Sequence, residues 1–203
     1  MSYKIISLKK IVNSIGEEKS KKLLNTFKCE KNKDVEYFLR EKAIEFSKQG
    51  ISETFIVTTS YKGDEVIAGY FALANKVTKI KRGIFSNTTK RRFAKFATYD
   101  GINKCYTIAL PLIGQVGRNF NNSYDKLIDG DLLLKLACDK IKEAQEILGG
   151  RFVFLECEDK TVLTDLYERN GFVCFGKRSL EKDELDKNTG SYLLQMLCDL
   201  SKK

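Results

Sequence analysis

The chain has no histidine and no tryptophan, a single proline in 203 residues, and no apolar run long enough to cross a bilayer. Each absence removes a chemistry. Without imidazole there is no Ser-His-Asp or Cys-His nucleophile pair, no HExxH metal site and no histidine pH switch. The six cysteines, Cys29, Cys105, Cys138, Cys157, Cys174 and Cys198, are never closer than 17 positions apart, so a CxxC knuckle or redox pair is missing too. No metal site is expected. An enzyme of this composition works with carboxylates, Tyr, Cys, Lys or backbone amides. Cys138, Cys157 and Cys198 lie in apolar runs, where a thiol behaves as a small hydrophobe, and the cysteines are expected as reduced core residues. The opening Met1-Ser-Tyr-Lys leads into a mixed polar stretch without an export signal, so a cytoplasmic location is expected. With 42% hydrophobic and 31% charged residues, a chain of this length is expected to fold as one domain.

The charge that is present is unevenly placed. Lysine and arginine number 36 against 27 acidic residues, a formal +9. Lys76, Lys79, Lys81, Arg82, Lys90, Arg91, Arg92 and Lys95 fall in one stretch that holds no acid, leaving 28 bases against 27 acids elsewhere. Phe85, Phe93 and Phe96 are interleaved with them. A basic loop over 76–100 between strands is expected. Two readings fit it: a solvated loop with anchoring aromatics, or a phosphate-contacting surface in which Lys90, Arg91, Arg92 and Lys95 are nucleic-acid candidates.

Residues 8–28 alternate apolar pairs with Lys and Glu at helical spacing, broken at Ser14 and Gly16; this predicts two short helices and a helical N-terminal extension over 1–30. Asp34 stands as an N-cap before Val35, Phe38, Leu39, Ala43 and Phe46, with Gly50 as the stop. The runs 54–59 and 66–73 flank Lys62-Gly-Asp64 and predict a hairpin. The apolar run 107–115 predicts a strand interrupted at Pro111, where a bulge would splay it from a neighbour and open a wedge; an edge strand tolerating proline is the alternative. Residues 132–148 predict a long amphipathic helix ended by Gly149-Gly150. Strands at 151–157, 172–176 and 192–197, with a short helix at 161–170, complete the pattern. Crossover and hairpin connections are mixed, so the expected class is α/β (α+β): a mixed central sheet of about six to seven strands with helices on both faces.

Between Gln115 and Asp131 a strand reaches the long helix through polar, glycine-containing sequence, and free amides at a helix N-terminus favour an anion. Leu112-Ile-Gly-Gln-Val-Gly117 with the helix start Gly130-Asp-Leu-Leu-Leu134 resembles the GNAT acyltransferase superfamily. More specific is Asp165-Leu-Tyr-Glu-Arg-Asn-Gly-Phe172, in which Tyr stands four residues before Gly-Phe as in that family's signature. Phe27-Lys-Cys-Glu30, Asp34-Val-Glu-Tyr-Phe-Leu39, Gly50-Ile-Ser-Glu-Thr-Phe-Ile-Val57 and Leu193-Leu-Gln-Met196 look similar to its branch of toxin-like acetyltransferases of bacterial mobile elements. The resemblance covers most of 27–197.

It implies one GNAT-like domain over 1–203 that binds acetyl-CoA. Val116, Gly117 and Arg118, with Gln115 beside them, would serve the pantetheine arm, while Lys126, Asp129, Gly130 and Asp131 would line the pyrophosphate loop. That loop departs from the family's glycine-rich pattern: Asp125-Lys-Leu-Ile-Asp-Gly130 keeps only the last glycine and adds carboxylates that Lys126 and Arg118 must offset. Tyr167 would protonate the departing CoA thiolate. Glu156 is the candidate for receiving the amine proton, with Glu158 and Glu53 as alternatives; solvated carboxylates and a water relay are the other reading.

The implied function is an N-acyltransferase that moves an acetyl group from acetyl-CoA to a primary amine by direct attack, with no metal and no covalent enzyme intermediate. The acceptor is open between a small amine, a protein amine and aminoacyl-tRNA. Implied partners are acetyl-CoA, tRNA, an antitoxin-like protein and a second copy in a homodimer, with no membrane. The alternative is a GNAT-like domain that has lost turnover and binds nucleic acid or a protein.

Overall fold

Short polar caps and left-handed turns decide where this chain changes direction. The computed structural model describes residues 2–81, 87–180 and 190–202; Arg82 and Phe85 of the basic segment lie outside them. Tyr3–Ser7 (β1) runs into Leu8–Ile15 (α1), whose first turn is capped by the Ser7 hydroxyl accepting from the Lys10 amide at 3.3 Å. Gly16, at φ +79°, ends α1 and begins Glu17–Leu24 (α2). Lys33–Tyr37 (α3) continues through a wide π-type turn, Phe38–Lys42, into Ala43–Lys48 (α4). The cap of α3 is Asn32 rather than Asp34: the Asn32 side chain accepts from the Asp34 and Val35 amides at 3.0 and 3.3 Å, and Asp34 lies inside the first turn.

Ser52–Tyr61 (β2) and Asp64–Lys81 (β3) form the expected hairpin. Lys62 and Gly63 join them at φ +53° and +93°, the left-handed pair whose twist matches that of antiparallel strands. Then come Asn87–Phe93 (α5), Thr98–Asp100 (β4), Cys105–Arg118 (β5), a 3-10 stretch Asn121–Lys126, Gly130–Leu148 (α6) and Phe152–Cys157 (β6). Thr161–Arg169 (α7), Val173–Ser179 (β7) and Tyr192–Asp199 (β8) complete the order. The fold is mixed α/β. The eight strands among the described residues make one sheet in the order β1-β2-β3-β5-β6-β8-β7, with β4 paired to β5.

Several expectations are corrected. The two short helices expected in the N-terminal stretch are α1 and α2, parted at Gly16, but a strand precedes them: Tyr3 to Ser7 pair with Thr59 to Phe55 of β2. The stretch expected as a basic loop is ordered differently. Its first part continues β3 through Lys81, with buried Thr78 and Ile80 alternating with exposed Lys79 and Lys81, and a later part is α5; this alternation is the period of a half-buried strand. Pro111 lies inside β5, which stands between β3 and β6, so it is not on an edge. All six cysteines are free and five are buried, but Cys174, on the terminal strand β7, is exposed.

The contacts gather into two units. Residues 1–74 and 113–139 form the first, around Leu8, Leu24, Phe27, Leu39, Ala43, Ile56 and Tyr70. Residues 75–112 and 140–203 form the second, around Ile80, Phe93, Tyr106, Phe152, Phe154, Phe175 and Leu197. No helix among the described residues is long and apolar enough to cross a membrane.

Candidate active site

In the first unit the end of β5 is built for close approach. A Cβ added at Gly117 would meet Val35 Cγ1 at 2.3 Å and the Phe27 and Tyr70 rings at 3.4 Å, so only glycine fits. Tyr70 lies edge-on to Phe27, 5.1 Å between centroids, and its hydroxyl donates to the Val35 carbonyl at 2.6 Å; burial pushes its pKa well above the usual phenol value. Gln115 Nε2 donates to Asp34 Oδ2 at 2.9 Å, tying β5 to the start of α3. Arg118 donates to the Asp125 carbonyl at 3.1 Å, reaching the loop before α6.

That loop leads to Gly130, the first residue of α6. The helix end is already capped: Asp129 Oδ1 accepts from the Leu132 amide at 2.7 Å, and its carbonyl accepts from the Leu133 amide. Asp131 lies in the first turn and Lys126 is exposed. The residues expected at the donor's phosphates therefore share one loop, and an amide that an anion would use is held by a carboxylate.

In the second unit, α7 ends in a motif that explains the Tyr-x-x-x-Gly-Phe spacing. The Phe172 amide donates to the Tyr167 carbonyl at 3.0 Å and the Gly171 amide to the Glu168 carbonyl at 2.9 Å. Gly171 is at φ +76°, and the Tyr167 and Phe172 rings meet at 6.0 Å. This is a Schellman cap with its apolar contact, so the spacing is at minimum a helix stop. It also fixes Tyr167. Its side chain is buried, no hydrogen bond from its hydroxyl is found among the described residues, and burial, then the Cys157 thiol, raises its pKa above the usual phenol value. Burial likewise pushes the Cys157 thiol up to about 12.

Glu156, next to Cys157 on β6, is fully engaged. Arg178 Nε donates to Oε2 at 2.8 Å, Lys76 Nζ lies 3.4 Å from the same oxygen, and Gln195 Nε2 donates to Oε1 at 2.9 Å. In the basic helix, Arg92 faces Asp199 at 3.8 Å, and Asp199 also accepts from Arg151 Nε and Nη2 at 3.0 and 2.8 Å. Lys90, Arg91 and Lys95 make no ion pair among the described residues. The interleaved aromatics act as anchors: Phe93 is buried 5.2 Å from Phe152, with Phe96 6.1 Å from the same ring. Glu53, an alternative base, instead accepts from the Lys9 amide and the Ser47 hydroxyl.

No protein-family model matches the chain, and no curated protein matches it in sequence. Solved structures do. AtaT complexed with acetyl-methionyl-tRNAfMet matches over 95% of this chain and 94% of that one, with a TM-score of 0.61 at 14% identity. A KacT variant in which tyrosine is replaced by phenylalanine matches over 96% and 94%, with a TM-score of 0.62 at 14% identity. An AtaT toxin variant bound to the C-terminus of the antitoxin AtaR and acetyl-CoA matches over 88% and 86%, with a TM-score of 0.54 at 14% identity. The chain has the GNAT fold.

Within this GNAT fold, the first unit brings Gln115, Val116, Gly117, Arg118, Lys126, Asp129, Gly130 and Asp131 onto one strand end, loop and helix start. Tyr167, Glu156 and the basic helix belong to the second. Sequence reasoning missed the buried amide of Asn119, which organises the turn after β5, and the cations around Glu156 and Asp199. The run of asparagines at 119, 121 and 122 was a signal for the first; the second carried none.

Proposed function

We propose that the protein is an acetyl-CoA-dependent N-acetyltransferase acting on a primary amine. The observation that carries this reading is Tyr167: a buried phenol with its proton retained and no protein acceptor for its hydroxyl among the described residues, locked in place by the Gly171 cap. Its likeness in fold to toxins solved with acetyl-CoA supports the same reading. The amine nitrogen attacks the acetyl carbonyl carbon, the C–S bond breaks, and Tyr167 gives its proton to the leaving sulfur. Burial keeps the proton on the phenol in the free protein and works against its transfer, so Tyr167 helps by hydrogen-bonding to the sulfur as thiolate charge develops, with the proton passing as the C–S bond breaks. Glu156 holds Arg178 and Lys76 with lone pairs already engaged, so the amine proton leaves to solvent.

The residues present fit the donor in a particular way. Gly117 is buried against Val35, Phe27 and Tyr70, which leaves the partly exposed Gln115, Val116 and Arg118 of the same strand end to meet an extended arm; Arg118 and Lys126 supply positive charge, while the α6 amides are partly taken by Asp129. For the acceptor we favour aminoacyl-tRNA, on the strength of exposed Arg91 on α5 and exposed Lys95 just after it, and of the tRNA complex of AtaT. An antitoxin-like partner, a homodimer, a cytoplasmic location and one catalytic domain over the whole chain belong to the same reading.

Acetyl-CoA should raise the melting temperature in proportion to the logarithm of its concentration. Tyr167→Phe should lower turnover on aminoacyl-tRNA about 100-fold while keeping that shift. No shift at millimolar acetyl-CoA refutes the enzyme and leaves the second reading, a GNAT-fold binding module, which the Asp129 cap at α6 favours.

A further inference from the structure

Lys31 and Arg118 are two cations held against one aromatic ring. Lys31 Nζ lies 5.2 Å from the Phe120 centroid and the Arg118 guanidinium carbon 5.4 Å from it. Neither makes an ion pair with a carboxylate among the described residues. Bringing like charges together costs Coulomb energy that a ring quadrupole only partly offsets.

The cluster is also fixed. The Phe120 amide donates to the Lys28 carbonyl at 2.7 Å. Buried Asn119 makes four hydrogen bonds: its amide donates to Ala68 O at 2.9 Å, Nδ2 donates to Ile67 O at 2.8 Å, and Oδ1 accepts from the Lys28 and Asn121 amides at 3.0 Å. Asn121 Nδ2 donates to Thr26 O at 3.0 Å. The turn after β5 is thereby stitched to residues 26–28 and to β3, and Arg118 is held from the other side by Asp125 O. Two cations without an ion pair among the described residues, gathered on a ring whose turn is held in place, suit an anion. The rival anion site at α6 already holds the Asp129 carboxylate.

We propose that Lys31 and Arg118, positioned by Phe120, bind phosphate groups of the nucleotide end of the acyl-CoA donor, in place of a glycine-rich loop. This rests on the acetyltransferase reading. Arginine supplies a bidentate fork and lysine a point charge, the two ways proteins hold phosphate.

The test is calorimetric titration of the full chain with acetyl-CoA and with acetyl-pantetheine, which lacks the nucleotide and its phosphates, at low and moderate ionic strength. Lys31→Gln and Phe120→Leu are the variants, the first exposed and the second keeping an apolar contact with the core. Each should weaken acetyl-CoA about five- to tenfold, flatten its salt dependence, and leave acetyl-pantetheine unchanged. Unchanged acetyl-CoA affinity in both variants overturns the proposal, as does equal weakening of acetyl-pantetheine. So does selective loss of affinity for a single-stranded RNA oligonucleotide, which would assign these cations to the acceptor. If the wild-type chain binds no acetyl-CoA, the functional reading itself fails, and that failure is visible without any variant.

Discussion

Two groups of cations, one in each unit, use their positive charge in opposite ways. In the second, cations are drawn inward: Lys76 and Arg178 meet Glu156, whose side chain is 8% exposed, and Arg151 and Arg92 meet Asp199, at 12%. Carboxylates that deep need cations beside them, because an unpaired buried charge is strongly unfavourable. In the first unit, Lys31 and Arg118 lie on a ring and a carbonyl, with no ion pair to a carboxylate among the described residues. Charge counted along a sequence is thus a poor guide to the field a protein presents. Two members of the basic segment, Lys76 and Arg92, serve the fold, while Lys31, which lies outside that segment and drew no notice, stands beside Arg118 on the Phe120 ring.

The strongest way to break this comparison is to show that the first unit is not tightly built. Gly117→Ala places a methyl group 2.3 Å from Val35 Cγ1, and should destabilise the protein by about 2–3 kcal/mol in a urea melt; a loss below about 0.5 kcal/mol would mean that α3 yields easily.

Asp199→Asn tests the inward pairing of the second unit and should cost about 2 kcal/mol at neutral pH. Burial alone would raise the Asp199 pKa, but the Arg151 and Ser201 hydrogen bonds outweigh it and hold the carboxyl below its usual range. A depressed pKa gives stability that is present above the unfolded value, ~3.9, and is lost as pH falls through the folded one. Wild type and variant should therefore differ at neutral pH and converge in acid. A difference independent of pH would mean that the ion pair is not its source.

Features written within a few residues were legible. The Lys62-Gly63 turn, the Gly149-Gly150 stop and the Tyr167-to-Phe172 cap each depend on a left-handed residue at a fixed offset, which a sequence displays directly. What was not legible depends on distant partners. β1 is a strand because β2, more than forty residues on, offers it an edge; Arg151 and Asp199 are 48 positions apart, and Glu156 and Arg178 are 22 apart. Asn32 and Asp34 compete for one cap with the same side-chain chemistry, and only backbone geometry chooses between them. The candidate site divides along the same line: Gly117, Gly130 and Tyr167 were readable from spacing, whereas Phe120 with its two cations follows from the turn that Asn119 folds.

The smallest expected effect separates neighbours on α5. Phe93 is buried against Tyr106 and Phe152 and so fixes how this short helix is turned. Arg92 then reaches Asp199, while Arg91 is exposed without an ion pair among the described residues. Arg92→Ala should cost about 0.5 kcal/mol and Arg91→Ala almost nothing. On tRNA retention the order should reverse. Removing Arg91 and Lys95 together should lower the slope of log affinity against log salt by about one to two, and removing Arg92 should change it less, because its charge is already neutralised by a carboxylate. Equal slopes for all three would mean that the segment acts through its summed field, and that pairing with Asp199 does not withdraw Arg92 from the surface.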